Sequence, residues 1–208
     1  MRKPRTRIQR RNSATIMEAA LEVFSTHGFR GATVDQIARE AGLSKPNLLY
    51  YYPSKDAIHR ELLSGLMGIW LDPLRELDPA GDPVEEILAY MLRKLEMAQR
   101  LPRESRLFAN EIIQGAPRIM DRITGELRDL VLEKCALLRR WQDEGRLVRM
   151  PPEHLIFSIW ATTQHYADFD VQVRGILRPE GDEHFAEAAR FLSLLYRGAL
   201  TPESVRPR

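Results

Sequence analysis

Residues 33–55 read TVDQIAREAGLSKPNLLYYYPSK, and the fold turns on this stretch. Thr33-Val-Asp-Gln36 has the spacing of a capping box, so a helix opens at Thr33. Val34, Ile37, Ala38 and Ala41 recur at helical spacing and form its buried face. Gly42 supplies the tight turn that helix-turn-helix units use. Ser44 caps a short third helix, and Pro46 falls in its first turn, where a missing N–H costs little. Pro53 ends that helix, and Ser54 caps a fourth one carrying Lys55.

A helix entering a major groove needs small or polar side chains on its exposed first turn, because those reach base edges. Ser44, Lys45, Pro46 and Asn47 meet that need. Lys45 suits a guanine edge or a phosphate, Asn47 an adenine edge or a phosphate, and Leu49 a thymine methyl. Tyr50, Tyr51 and Tyr52 cannot all face DNA from one helix. Tyr52 is expected to pack inward and Tyr51 to meet the phosphate backbone. Thr33 and Lys55, each at a helix N-terminus, suit phosphate binding through side chain, N–H groups and dipole together. The bland alternative is a plain three-helix domain with a tyrosine-rich hinge.

Upstream, MRKPRTRIQRR (1–11) holds six basic residues and no acid. It reads as a flexible arm, either lying on DNA or making no defined contact. Asn12 or Ser13 is expected to cap the first helix. Its apolar face is Ile16, Ala19, Ala20, Val23, Phe24 and His27, and Gly28 closes it. Residues 1–62 carry 11 Lys/Arg against 6 Asp/Glu, a net +5; the remaining residues carry 20 against 23, a net −3. A basic head on a mildly acidic body points to a polyanion partner for the head alone.

The chain has 208 residues, 44% hydrophobic and 29% charged, a globular composition. No apolar run approaches the roughly 18 residues of a membrane span, and the basic N-terminus lacks the apolar core of a signal peptide. Cys135 is the single cysteine, which fits a reducing cytoplasm; it reads as a small buried hydrophobe. Beyond Lys55 the pattern is helical throughout. The fourth helix runs to about Leu77, kinked at Pro73, and DPAGDP (78–83) breaks the chain. Further helices are expected from Pro83, over 102–114, 124–144, 153–174 and 180–200. The expectation is an all-α chain of about nine helices: arm (1–11), DNA-binding domain (12–53), ligand-binding and dimerisation domain (54–208).

Residues 19–58 resemble the N-terminal domain of TetR-family transcriptional regulators. The likeness lies in the phenylalanine-glycine close of the first helix, the T-x-x-x-I-A helix, the A-G-x-S turn and the Y-Y-P-S-K exit. It implies a homodimer on a palindromic double-stranded DNA operator, with a C-terminal domain whose small effector alters DNA affinity. By motif position it implies DNA contacts at Thr33, Ser44, Lys45, Asn47, Tyr50, Tyr51 and Lys55. Many members have tyrosine where this chain has Leu49, and glycine where it has Pro46. The stretches IWLDPL (69–74), SRLFANEIIQGAP (105–117), ITGELRDL (123–130) and HLIFSIWATTQHYADFDVQV (154–173) are similar to RutR-type regulators of pyrimidine utilisation. That likeness implies uracil, thymine or a related pyrimidine as effector.

A flat ligand of that kind wants aromatic walls and a few polar groups for its imide edge. Trp160 and Gln164 are four apart on one helix, as are Gln164 and Asp168. A side-chain amide donates and accepts at once, matching an N–H beside a C=O. Trp70 offers a second wall. The candidate pocket is Trp70, Trp160, Gln164 and Tyr166, with Phe108 and Glu111 behind them. The competing reading makes both tryptophans ordinary core and Gln164 a satisfied buried amide. His165, Asp168 and Asp170 lack a further metal-ligand motif, so no metal or cofactor is expected. No nucleophile elbow, glycine-rich phosphate loop or paired carboxylate points to an enzyme. Apolar stripes on the last two helices (Leu155, Ile159, Phe169; Phe185, Ala188, Phe191, Leu192, Leu195) would form a dimer interface. The alternatives are a regulator answering another planar or amphipathic ligand, and a DNA-architectural protein with no effector.

Overall fold

A computed structural model describes residues 6–202, and within them every regular element is helical. The elements are α1 (Arg7–Gly31), α2 (Val34–Glu40), α3 (Lys45–Tyr51), α4 (Lys55–Arg75), α5 (Pro83–Arg100) and α6 (Pro102–Ile113). A short α7 (Met120–Arg122) runs through a π-helical turn (Ile123–Leu127) into α8 (Arg128–Asp143). Then come α9 (Pro152–Asp168), α10 (Asp170–Leu177) and α11 (Glu183–Leu200).

The chain forms two compact units. One holds the described residues up to Gly68 together with Arg106–Met120; the other holds Ile69–Ser105 and the described residues from Asp121. The expected functional division lay at residue 53/54. The compact units part later, inside α4, and 106–120 joins the N-terminal unit.

In the N-terminal unit α1 packs on α2, and α2 on α3. Ile16, Ala20, Phe24, Ile37, Leu48, Tyr52 and Ile58 are buried there, at the positions their helical spacing assigns. The arm and first cap need correction. Thr6 caps α1: its hydroxyl accepts from Gln9 N–H, and the Gln9 side chain accepts from Thr6 N–H. This capping box starts the helix at Arg7, six residues before Ser13. Residues 7–11 of the expected arm are therefore helical, and 1–5 lie outside the described residues. Gly28 does break the helix, with φ +64, whereas His27, expected on the apolar face, is exposed.

In the other unit α5 is the central helix, packed against α9 and α11, with α8 against α9. Its apolar stripe buries Ile87, Tyr90, Met91, Leu95 and Ala98. The helix expected over 153–174 is two helices, parted at Phe169 (φ −114, ψ 29). No glycine or proline announces that break. It falls beside Asp168, whose carboxylate accepts from Ser105, and Phe169 stacks on His165. This split and the earlier start at Met120 separate the observed helix list from the nine expected.

Candidate functional sites

The helix-turn-helix is built as its caps dictate. Thr33 donates its N–H to Gln36 Oε1 at 2.8 Å and accepts from Gln36 N–H at 3.2 Å. Gly42 takes φ +65, and Leu43 N–H then returns to the Ala38 carbonyl at 2.9 Å. Ser44 caps α3 by accepting from Asn47 N–H at 3.3 Å. Leu48 is fully buried and pins α3 to the core. The opposite face leaves Ser44, Lys45, Pro46, Asn47 and Tyr50 exposed. This is the arrangement a groove-reading helix requires.

Three of the expected DNA contacts, Lys45, Tyr51 and Lys55, have internal partners. Lys45 Nζ pairs with Asp35 at 2.8 Å, both groups exposed, so the pair is weak and yields readily to a phosphate. The Tyr51 hydroxyl accepts from Asn12 Nδ2 at 2.8 Å, which fixes the ring while leaving its own proton to donate. Tyr52 is buried, as its position requires. Lys55 Nζ donates to the Phe29 and Ala32 carbonyls, both at 2.7 Å, and stands 4.5 Å from the Phe29 ring centre. It ties α4 to the end of α1 and keeps one N–H for an external anion.

A second polar network lies inside this unit. Arg118 donates to Glu111 at 2.9 Å and to Asp56 at 3.1 Å, and its guanidinium lies 3.5 Å from the Phe29 ring centre. Glu111 also accepts from Arg118 N–H at 2.8 Å. His59 is buried with its ring 4.6 Å from Phe24 and 5.0 Å from Phe29. Glu111 lies 4.0 Å from His59, which alone would favour an imidazolium. Burial nevertheless pushes the His59 pKa down to about 4, helped by the Arg118 and Lys55 charges and opposed by Asp56. His59 is therefore neutral at pH 7. Glu111, a candidate ligand residue, is instead taken up by Arg118, and half-buried Phe108 falls in the same unit. A lone acid with an aromatic neighbour in the sequence does not reveal an arginine partner seven residues on.

The C-terminal unit brings other candidates together around α5. Trp70 is buried, and Lys94 Nζ sits 5.4 Å from its ring centre and 3.5 Å from its carbonyl. One turn back on α5, the Tyr90 hydroxyl accepts from Trp160 Nε1 at 2.6 Å. Burial pushes the Tyr90 phenol well above its ordinary range, so it stays protonated. On α9 the half-buried Gln164 lies one turn from both Trp160 and Asp168. Ser105 Oγ donates to Asp168 Oδ1 at 2.6 Å. Tyr166 is placed differently: its ring lies 5.9 Å from Phe185 on α11. Thus Trp70 and Trp160 are linked through α5, whereas Tyr166 packs towards α11. Sequence reasoning passed over Tyr90 and Lys94. The signal was present, since Lys94 puts a charge into the Ile87–Met91–Ala98 stripe. Among the described residues no cluster of three or more His, Cys, Asp or Glu is arranged to hold a metal. No described helix is long and apolar enough to cross a membrane.

Comparison with known proteins agrees with this geometry. Residues 16–62 match the family described as bacterial regulatory proteins, tetR family, and residues 63–203 match the C-terminal region of YcdC-like proteins. The HTH-type transcriptional regulator RutR of Escherichia coli K12 is 45% identical over 172 residues, covering 83% of this chain and 81% of RutR. The Shigella flexneri RutR matches equally. Among solved structures, the ketosteroid transcriptional regulator KstR2 of Mycobacterium tuberculosis superposes with a TM-score of 0.73 at 20% identity. That match covers 97% of this chain and 98% of KstR2, and it speaks to the fold alone. With a capped helix-turn-helix and matched domains on either side of Leu62, the chain belongs to the TetR family and is a DNA-binding transcriptional regulator of the RutR type.

Proposed function

We propose that the chain works as a homodimeric, cytoplasmic repressor whose hold on a palindromic operator is set by a pyrimidine, uracil or thymine. The observation that carries the effector reading is the pairing of two tryptophans across α5: Trp70 against Lys94, and Trp160 tied to Tyr90. Flat aromatic faces with polar groups between them suit a flat ring with an imide edge. The side-chain amide of Gln164, one turn from Trp160 on α9, makes no hydrogen bond among the described residues and can match an N–H next to a C=O. The RutR-type likeness supports a pyrimidine as that ring.

In the same reading Lys45, Pro46, Asn47 and Tyr50 face the groove, and Thr33, Ser44, Tyr51 and Lys55 hold phosphates. Dimerisation uses the outer face of α11, where Phe191, Leu194 and Leu195 are 60%, 75% and 47% exposed. The stripe expected for the interface divides here. Leu155, Ile159, Phe185, Ala188 and Leu192 are buried within the chain's own core. A second copy covers the apolar residues left outside. Two heads reach successive major-groove faces about 34–36 Å apart, or a multiple of that. A pyrimidine that binds the wrong-spacing state better releases the operator by its differential affinity. Because α4 carries both Lys55 and Trp70, it is the route for that change.

The test is a gel shift on the DNA upstream of the chain's own gene, with uracil and thymine added separately. Loss of retardation with either supports the reading. Retardation unchanged by both removes pyrimidines as effectors and favours another planar or amphipathic ligand, with the regulator itself untouched.

A further inference from the structure

Lys94 is a buried lysine with almost nothing to bond to. It is 3% exposed, and among the described residues the one hydrogen bond of its amine is the 3.5 Å contact to the Trp70 carbonyl. An ammonium has three N–H donors, and burying unmet donors is unfavourable. The nearby acid does not resolve this: Asp168 accepts from Ser105 at 2.6 Å, and among the described residues no ion pair or hydrogen bond joins it to Lys94. A methionine would fill the stripe at lower cost. Yet the amine lies beside the Trp70 ring and one turn from Tyr90, which positions Trp160. A group that is unfavourable for folding, buried against the Trp70 ring and one turn along α5 from the tyrosine that holds Trp160, is placed for a ligand.

We propose that Lys94 is the specificity residue for the effector's carbonyl oxygen: it binds that oxygen as an ammonium, and effector binding draws one proton into the site. The inference rests on the pyrimidine reading above and adds to it which chain atom meets the ring's oxygen. It also assigns the effector class, a planar lactam or imide with an exposed carbonyl. In the free protein, burial pushes the Lys94 pKa down to about 7, with Asp168 partly opposing. Among the described residues Asp168 is the charged group that acts on the amine. From α4 come the Trp70 ring and carbonyl, from α6 the Ser105 hydroxyl, from α9 Asp168, and from α5 itself the protonated Tyr90. The charged contact of α11 to α5, Arg197 to Glu85, lies nine residues away along the helix. A carbonyl oxygen accepting from the amine favours its charged form, so the pKa rises on binding and a proton enters from solvent. Affinity therefore falls as pH climbs above about 7.

Isothermal titration of the full-length dimer with uracil at pH 8, in phosphate, HEPES and Tris, reads the proton directly from the buffer dependence of the heat. Uptake approaching one proton per site is expected, with uracil affinity falling about tenfold per pH unit above 8. Lys94→Met should abolish the uptake and weaken uracil at least tenfold at pH 7. Lys94→Arg, which keeps the charge but not its titration, should remove the pH dependence. Circular dichroism shows whether each variant is folded, and the wild-type uptake stands as the readout if a variant is not. Uracil binding to the wild type without proton uptake overturns this inference and leaves the pyrimidine reading standing, as does unchanged affinity in folded Lys94→Met. No binding of uracil or thymine to the wild type overturns both.

Discussion

Trp160 gives its indole N–H to the hydroxyl of Tyr90 at 2.6 Å, seventy positions away in the chain. The bond sets the plane of the half-buried indole from a fully packed phenol on the central helix. Tyr90→Phe keeps the volume and removes the acceptor. It should cost about 1 kcal/mol, or a few degrees in Tm. Effector affinity should fall several-fold as the indole loses its orientation. Thermal melts with and without uracil check both. An unchanged ligand-induced rise in Tm would separate Trp160's orientation from binding.

Lys94 makes a prediction for the ligand-free protein. Its folded pKa of about 7 lies below the ordinary 10.5, so between these values the unfolded chain binds more protons. Stability from this group is poorest at and below pH 7, rises with pH through that window, and levels off above it. Lys94→Met should therefore melt higher than the wild type at pH 6–7, by on the order of a few kcal/mol, with the gap closing towards pH 10. Denaturant titrations at pH 6, 8 and 10 measure it. A variant less stable at pH 6 would show that the amine is structural.

His59 has the opposite experimental range. Its folded pKa of about 4 lies below the ordinary 6.5, so the unfolded chain takes up a proton first as pH falls. Stability from burying the neutral ring is complete above pH 6.5 and is lost between there and about pH 4. The wild type should lose on the order of 2–3 kcal/mol across that range from this group. His59→Leu, apolar between Phe24 and Phe29, should flatten the curve between pH 6.5 and 4. Chemical denaturation in acetate and MES buffers shows the slope.

Arg118 holds the Glu111 carboxylate, which is 3% exposed as a residue. Removing the guanidinium leaves a buried, unpaired charge. Arg118→Met should destabilise by about 3–5 kcal/mol, and adding Glu111→Gln should recover most of it. DNA binding should follow stability, because Arg118, Asp56 and Phe29 belong to the reading unit. Equal stability of the single and double variants would show that the pair is not coupled.

Lys45 and Asn47 separate two kinds of DNA contact. Lys45→Ala should weaken binding and lower the salt dependence by about one per head if the amine meets a phosphate. Asn47→Ala should leave the salt slope alone and relax discrimination at one base pair, by about 1–3 kcal/mol, if it reads an edge. Asp35→Asn frees Lys45 and should tighten binding slightly. Fluorescence anisotropy at several salt concentrations, on operator and scrambled DNA, distinguishes them.

The amino-acid sequence by itself determined the reading head. Capping boxes, a glycine turn and a four-residue apolar period are local signals, each acting within a few positions, so Thr33–Lys55 could be built without knowing what lay around it. It also determined that the regular elements after Lys55 are helices, and that Tyr52 turns inward. Tertiary structure decided which side chains meet across helices. Arg118 reaching Glu111, Trp160 reaching Tyr90, and Ser105 drawing on Asp168 at a break with no glycine or proline are all long-range pairings. Periodicity states which face of a helix is buried, not what it is buried against. Glu111 thus reads as a pocket residue from its face of the helix, whereas the fold pairs it with Arg118. Lys94 breaks the apolar stripe of its helix in the sequence, but only packing shows that it is stripped of water and faces the Trp70 ring.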